Sequence, residues 1–154
     1  MPSRKTSRQP RVRRASVSEH DEQTALFRWA RLAAVEWPAL AWMFAIPNGG
    51  ERHPLVAVKL RDEGVRAGVP DMFLPAPVAP WHGLFIELKA GRNKTTEQQT
   101  EWLAALSAAG YRAVVCYGWE AAARDILDYL GASQAQIDRA LGDAVPLEAY
   151  YDAD

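Results

Sequence analysis

The chain has 154 residues, 49% of them hydrophobic, and a formal net charge of −1; these values fit one folded domain and exclude a disordered, highly charged chain. The single cysteine, Cys116, excludes an internal disulfide and, with no recognisable signal peptide, predicts a soluble cytoplasmic protein. No apolar stretch approaches the roughly 20 residues that span a bilayer, so we expect no membrane partner. Cys116 lies in an apolar run, which predicts a buried and inert thiol.

The first 18 residues form a basic arm, which we expect to be disordered because it has few apolar groups to bury. Its basic residues are Arg4, Lys5, Arg8, Arg11, Arg13 and Arg14, and it contains no acidic residue. A basic arm ahead of an acidic body favours contact with a polyanion such as nucleic acid, and a solubilising tail is the alternative. The arm also resembles a transit peptide, but Pro2, Pro10 and the lack of an apolar face argue against that interpretation.

The first predicted element is a helix that begins at Ser18. Acidic residues follow Ser18 at positions 19, 21 and 22, where they suit the positive end of the helix dipole. Leu26 and Trp29 recur at helical spacing and mark a buried face. Pro38 ends the helix, because the residue before a proline avoids the helical conformation.

The remaining pattern alternates between strands and helices. In chain order we predict a strand over Leu40–Ile46, a helix over Pro54–Glu63, strands over Asp71–Leu74 and Gly83–Lys89, a helix after the capping box of Thr96 and Gln99, a strand over Arg112–Tyr117 and a helix over Trp119–Leu130. Interleaved strands and helices indicate an α/β domain with a mixed sheet covered on both faces. Residues 19–130 form this domain, and residues 131–154 are an acidic tail or a weak helix.

A charged pair, Glu87 and Lys89, stands out in the apolar strand Gly83–Lys89. Side chains alternate in a strand, so the pair shares one face while Ile86 and Leu88 point to the other. Burying such a pair is costly unless something neutralises it, and a divalent cation would do so. The alternative is an ordinary same-face ion pair on a half-exposed strand.

Asp71 opens the preceding strand and is the second carboxylate of the predicted site. If the strands of Asp71 and Glu87 pair as a hairpin, the two carboxylates converge. Two converging carboxylates form the hard-oxygen environment that Mg²⁺ or Mn²⁺ prefers. Lys89 would then orient or activate the attacking water and stabilise negative charge in the transition state.

Pro70-Asp71 followed by Glu87-Leu88-Lys89 resembles the PD-(D/E)xK nuclease signature. Further segments widen the likeness: IPNGG at 46–50, GVRAGVPD at 64–71, GLFIELK at 83–89, QxxWL at 99–103 and GY at 110–111. Together they resemble the stand-alone VRR-NUC domain, the virus-type replication-repair nuclease, over about residues 19–130.

This resemblance implies a restriction-endonuclease-like fold, a mixed central sheet flanked by helices, and Mg²⁺- or Mn²⁺-dependent cleavage of DNA. Asp71 and Glu87 match the family's metal-binding acids, Lys89 matches its catalytic lysine, and the Leu88 carbonyl would be a further ligand. The family also places an acid on the first helix, where Glu19 and Glu22 both qualify. The resemblance further suggests branched DNA such as a four-way junction, a homodimer, and a context of DNA repair or phage replication.

Other polar residues have two interpretations each. Gln99 matches the family's glutamine, which would contact a metal-bound water or the scissile phosphate; the alternative is a capping-box partner for Thr96. Asn48 and Arg52 lie beside the presumed cleft, where Arg52 would hold a phosphate or simply lie on the surface. Arg66, Arg92 and Lys94 would form a DNA-binding basic rim or remain solvated.

The sequence therefore predicts a metal-dependent DNA endonuclease selective for branched structures. One alternative is a non-catalytic DNA-binding module that retains the nuclease fold, which the basic arm favours. Another is a sequence-specific restriction-type endonuclease.

Overall fold

A computed structural model describes residues 17–47 and 54–142 of the chain. Within these ranges, four strands form a mixed sheet, and helices lie on both of its faces. The elements are α1 (Glu19–Ala33), a 3₁₀ helix (Pro38–Trp42), β1 (Phe44–Ala45), α2 (Pro54–Asp62), β2 (Met72–Leu74), β3 (Leu84–Lys89), α3 (Glu97–Ala108), β4 (Arg112–Tyr117), α4 (Trp119–Tyr129) and α5 (Gln134–Gly142).

The strand order in the sheet is β1-β2-β3-β4. β2 pairs antiparallel with both β1 and β3, whereas β3 and β4 are parallel and are joined across the sheet by α3. The antiparallel pairing of β2 with β3 was predicted as a hairpin and is confirmed. The mixed, helix-flanked sheet confirms the predicted restriction-endonuclease-like fold.

One face of the sheet carries the hydrophobic core. The alternating residues Leu84, Ile86 and Leu88 of β3 are buried, as strand periodicity predicts, and α1 and α4 pack over them. α3 lies on the opposite face, which leaves the polar side chains of β3 between the sheet and that helix. Glu87 and Lys89 thus lie on the face of α3, whereas Arg112 of β4, in register with Leu84, pairs with Asp125 and Asp128 of α4 on the other face.

α1 begins as predicted, with Ser18 as its N-cap. The Ser18 hydroxyl accepts a hydrogen bond from the Asp21 backbone, and the Asp21 carboxylate accepts one from the Ser18 backbone, which completes a capping box. Leu26 and Trp29 are buried, as their spacing predicts.

The predicted strand over Leu40–Ile46 is wrong for most of its length. Pro38 starts a 3₁₀ helix that continues to Trp42, and only Phe44–Ala45 pairs with the sheet. Leu40 and Met43, three residues apart, are the buried positions, which is a helical spacing. A short apolar run does not distinguish a buried strand from a helical turn, and the proline at the start decides the outcome here.

The region after Gly131 contains one helix within the described residues. α5 packs on α4 and buries Ile137, so residues 134–142 belong to the folded body rather than to a loose tail. The predicted basic arm up to residue 16 and the acidic end from residue 143 lie outside the described residues.

Candidate active site

Asp71 immediately precedes β2. Extending the pairing of Met72 with Ile86 by one residue places Asp71 opposite Glu87. Its Oδ2 accepts a hydrogen bond of 2.7 Å from the backbone N–H of Leu88. The same extension places Leu88 opposite Pro70, where the pairing of the two strands has ended. The Asp71 side chain binds the Leu88 N–H at this point. This contact fixes the carboxylate of Asp71 beside the polar face of β3.

Glu87 and Lys89 form a buried ion pair on that face. Their exposed fractions are 1% and 5%, and Lys89 Nζ lies 2.7 Å from Glu87 Oε1. Glu87 Oε2 is equally buried and has no hydrogen-bond partner within the described structure. A buried carboxylate oxygen without a partner is costly, so this atom is suited to a ligand that the protein does not itself supply.

The two carboxyl groups are both held above their ordinary pKa values. Burial raises the pKa of Glu87; the hydrogen bond from Lys89 opposes this shift, and the charge of Asp71 adds to it. Burial also raises the pKa of Asp71, against the hydrogen bond from the Leu88 backbone and the charge of Lys89. A raised pKa means that burial disfavours the charged carboxylate, and a bound cation would stabilise that charged form.

The pKa of Lys89 is also raised, which favours its charged form. Burial alone would lower the pKa of Lys89, but the hydrogen bond and charge of Glu87, together with the charges of Glu19 and Asp71, outweigh burial and raise it. Lys89 is therefore a stable ammonium cation in this site. It can supply positive charge to an anionic substrate.

Gln99 is the capping-box partner of Thr96, as one of its two sequence interpretations predicts, and it also contacts Glu87. Its Oε1 accepts a hydrogen bond of 2.8 Å from the Thr96 backbone, which is half of the capping box that starts α3. Its Nε2 donates to Glu87 Oε1, the same oxygen that binds Lys89. One side chain thus caps the helix and contacts the site.

The structure separates Glu19 from Glu22. Glu19 Oε1 lies 3.8 Å from Lys89 Nζ and accepts a hydrogen bond of 3.0 Å from Asn93, so Glu19 faces the site. Glu22 Oε2 instead accepts a hydrogen bond of 2.8 Å from the Trp119 backbone at the start of α4. Asn93 was not singled out from the sequence, because an asparagine in a loop is usually a turn residue.

The donor set fits a hard divalent cation through two carboxylates and a backbone carbonyl. Within residues 17–47 and 54–142, no group of three or more His, Cys, Asp or Glu side chains is close enough to share a metal ion. Asp71 and Glu87 would supply the carboxylates and Leu88 its carbonyl, and the Glu87 Oε2 atom, which has no partner among the described residues, supports this fit. Glu19 is linked to this set through Lys89.

The residues predicted to contact DNA lie on loops or outside the described residues. Arg92 and Lys94 are exposed on the loop between Lys89 and α3, next to the polar face. Arg66 is exposed and lines a cavity of about 410 Å³ together with Val69. Asn48 and Arg52, the other two predicted DNA contacts, lie outside the described residues.

A mixed sheet with two acids and a lysine on adjacent strands defines a nuclease-type fold of the PD-(D/E)xK kind. The model of the VRR-NUC domain matches residues 17–120, and the chain belongs to this family. A solved structure named "VRR_NUC domain protein" is 26% identical, with a TM-score of 0.62, over 75% of this chain and 90% of that one. Comparison with curated proteins gives no match.

Of the helices in the described ranges, none combines the length and apolar character that a membrane span requires.

Proposed function

We propose that this protein is a Mg²⁺- or Mn²⁺-dependent endonuclease that hydrolyses DNA phosphodiester bonds. The observation that carries the proposal is the buried Glu87 carboxylate, which has one oxygen on Lys89 and Gln99 and the other without a partner. Asp71 stands beside it and raises its pKa. A structural ion pair would satisfy both oxygens, whereas a cation site leaves one available.

Asp71, Glu87 and the Leu88 carbonyl would hold the cation. A bound divalent ion lowers the pKa of water and offsets negative charge on a phosphate. The protein contributes a fixed position for each donor: the Leu88 backbone holds Asp71, and Lys89 and Gln99 hold Glu87.

Lys89 would stabilise the charge that develops on the phosphate during hydrolysis. The reaction joins a water oxygen to phosphorus and breaks the bond from phosphorus to one sugar oxygen, which takes up a proton. Negative charge grows on the remaining phosphate oxygens, and a buried ammonium group near them is effective because little water screens it. The raised pKa of Lys89 keeps it charged for this role.

We propose branched DNA, such as a four-way junction, as the substrate and a homodimer as the active form. Arg92, Lys94 and Arg66 are exposed on the loops around the site, where they can contact phosphates on either side of the cut. A two-fold dimer would place two such sites on one junction. Asn48 and Arg52 would complete the contact surface.

The test is a cleavage panel with the full chain. Labelled junction, flap and linear duplex DNA are incubated with Mg²⁺, with Mn²⁺ and with EDTA, for wild type, Asp71→Asn and Asp138→Asn. Asp138 pairs with Arg124 on the surface and serves as the matched control. We expect metal-dependent cutting, fastest on the junction, that Asp71→Asn abolishes and Asp138→Asn leaves unchanged.

Other outcomes identify the alternatives. Cleavage that persists unchanged in Asp71→Asn contradicts the proposal. DNA binding with steep salt dependence but without any cutting indicates the non-catalytic module. Discrete fragments from plasmids of varied sequence indicate a restriction-type enzyme. Sedimentation equilibrium with and without junction DNA tests the dimer, which a monomeric complex would rule out.

A further inference from the structure

We propose that Thr96 is a positioning residue for the candidate active site and acts through Gln99 on the carboxylate of Glu87. The effect on cation binding rests on the proposed function. The contacts from Thr96 through Gln99 to Glu87 do not depend on it, because they involve only protein atoms. Thr96 is exposed and touches neither Glu87 nor Lys89 in the described contacts, so its influence passes through the Gln99 side chain.

The capping box holds Gln99 at both its backbone and its side chain. The Thr96 hydroxyl accepts a hydrogen bond of 3.2 Å from the Gln99 backbone, and Gln99 Oε1 accepts one of 2.8 Å from the Thr96 backbone. Because the carbonyl oxygen of the side chain is bound to an N–H donor, the amide nitrogen must point the other way. It points to Glu87 Oε1.

This arrangement excludes the reversed amide. A flipped Gln99 would place its carbonyl oxygen against the Glu87 carboxylate and its amide hydrogens against the Thr96 N–H, which are two repulsive contacts. The capping box therefore selects the orientation in which Gln99 donates to Glu87. Glu87 Oε1 is then bound by both Gln99 and Lys89, and Oε2 is left as the free oxygen.

Among the described residues, Ser133 and Gln136 form another capping box with glutamine as the partner, and it provides an internal comparison. At the start of α5, the Ser133 backbone donates to Gln136 Oε1, and the Ser133 hydroxyl accepts from the Gln136 backbone. The two backbone hydrogen bonds match those of Thr96 and Gln99, and the Ser133 hydroxyl also donates to Gln136 Oε1 at 3.0 Å. The hydrogen bonds given for Gln136 stay within its own helix start. Loss of the Ser133 hydroxyl thus reproduces the helix-capping effect alone.

The experiment compares Thr96→Ala, Thr96→Ser and Ser133→Ala in the full chain. Thermal unfolding reports the capping loss, calorimetry reports Mn²⁺ affinity, and ¹H–¹⁵N spectra of the metal-free protein report the Gln99 side-chain amide. Thr96→Ala and Ser133→Ala should lower the melting temperature similarly. Thr96→Ala keeps the backbone N–H of residue 96 but removes the hydroxyl that holds the Gln99 backbone in place. This variant alone should therefore weaken Mn²⁺ binding, by about tenfold as for other outer-shell partners, and move the Gln99 amide signals toward those of a free glutamine. Thr96→Ser should restore both.

Thr96→Gly is the second variant if Thr96→Ala fails to fold, because glycine is tolerated at an N-cap but lacks the hydroxyl. Gln99 amide signals that remain at their wild-type positions in Thr96→Ala or Thr96→Gly overturn the positioning role, whatever the metal does. Equal Mn²⁺ affinities of Thr96→Ala and Ser133→Ala overturn its effect on the cation. If the wild-type protein binds no Mn²⁺, the proposed function is overturned, and so is the effect of Thr96 on cation binding. The Gln99 amide signals would still decide whether Thr96 positions Gln99.

Discussion

The Glu22 carboxylate accepts a hydrogen bond of 2.8 Å from the backbone N–H of Trp119, the first residue of α4. Gly118 precedes that helix and has no side chain with which to cap it, and its left-handed φ of 85° suits glycine. Glu22 therefore supplies from α1 the capping acceptor that Gly118 lacks, and its charge adds to that of Glu120 in the first turn of α4. Glu19, one turn earlier, faces Lys89 instead.

We predict that Glu22 and Glu19 separate stability from function. Glu22→Ala should lower the free energy of unfolding by about 1 kcal/mol, as for loss of an N-cap, and Glu22→Gln should recover most of it because the amide oxygen still accepts. Glu19→Ala should leave stability nearly unchanged and weaken Mn²⁺ binding and cleavage. Urea unfolding and Mn²⁺ calorimetry on the three variants check this. Equal destabilisation by both alanine variants would contradict the division of roles.

A pair of substitutions tests the cost of the buried charges. Lys89→Met leaves Glu87 buried without its counter-ion, and at pH 8 should destabilise the protein by about 3–5 kcal/mol. The double variant Glu87→Gln with Lys89→Met removes both charges and should recover much of that loss while remaining unable to cut DNA. Denaturant unfolding of the singles and the double measures the coupling.

The control pair for this cycle is Lys59 with Glu63, whose side chains are 76% and 56% exposed at 3.8 Å separation. Lys59→Met should change the free energy of unfolding by less than about 1 kcal/mol, because water screens exposed pairs. A double variant at Glu87 and Lys89 that is less stable than Lys89→Met alone would contradict the prediction, because it would show that an unpaired Glu87 carboxylate is not costly.

Much of the site could be predicted from residue spacing. Two-residue alternation along Leu84–Lys89 separates the core face from the charged face, and the short link between β2 and β3 brings Asp71 beside Glu87. Both features are local, which is why the sequence carries them.

The remaining assignments depend on tertiary packing. Glu19 and Glu22 share one helix face, and only the packing of α1 against α4 decides that Glu22 reaches Trp119. The two functions of Gln99 also depend on where α3 lies over the sheet, since a capping box alone does not specify what the far side of the amide contacts.

The raised pKa values of Asp71 and Glu87 predict how the metal-free protein responds to pH. A carboxyl whose pKa is raised by folding binds its proton more tightly in the folded state, so its stabilising contribution is complete below the ordinary value. For Asp71 and Glu87 those values are 3.8 and 4.5, and stability should fall as pH rises from there through the folded pKa values. In EDTA at pH 8, Asp71→Asn should therefore be more stable than wild type, and the difference should vanish below about pH 4.

Excess Mn²⁺ should reverse that ranking at pH 8. Ligand at a hundred times its dissociation constant stabilises a protein by about 2.7 kcal/mol, which raises the melting temperature of a chain of this size by roughly 5–10 °C. Asp71→Asn should show little of this rise, and the wild-type rise should shrink at pH 5, where protons compete for Asp71 and Glu87. Thermal scans in EDTA and in Mn²⁺ at both pH values check it. A Mn²⁺ response that is equal in wild type and Asp71→Asn would place the cation elsewhere.

Cys116 offers a reporter of unfolding on β4, the strand next to β3, where it is in register with Leu88. It is 2% exposed, and burial raises the pKa of its thiol, as does the hydrogen bond it donates to Asp125 at 3.2 Å. Only the thiolate reacts with alkylating agents, so native protein at pH 8 should be modified slower than denatured protein by about a thousandfold or more, if access requires global unfolding. Mn²⁺ should slow the reaction further, because it stabilises the folded state. Mass spectrometry of timed samples measures both rates, and rapid labelling of the native protein would show that the β4–α4 side of the core opens locally.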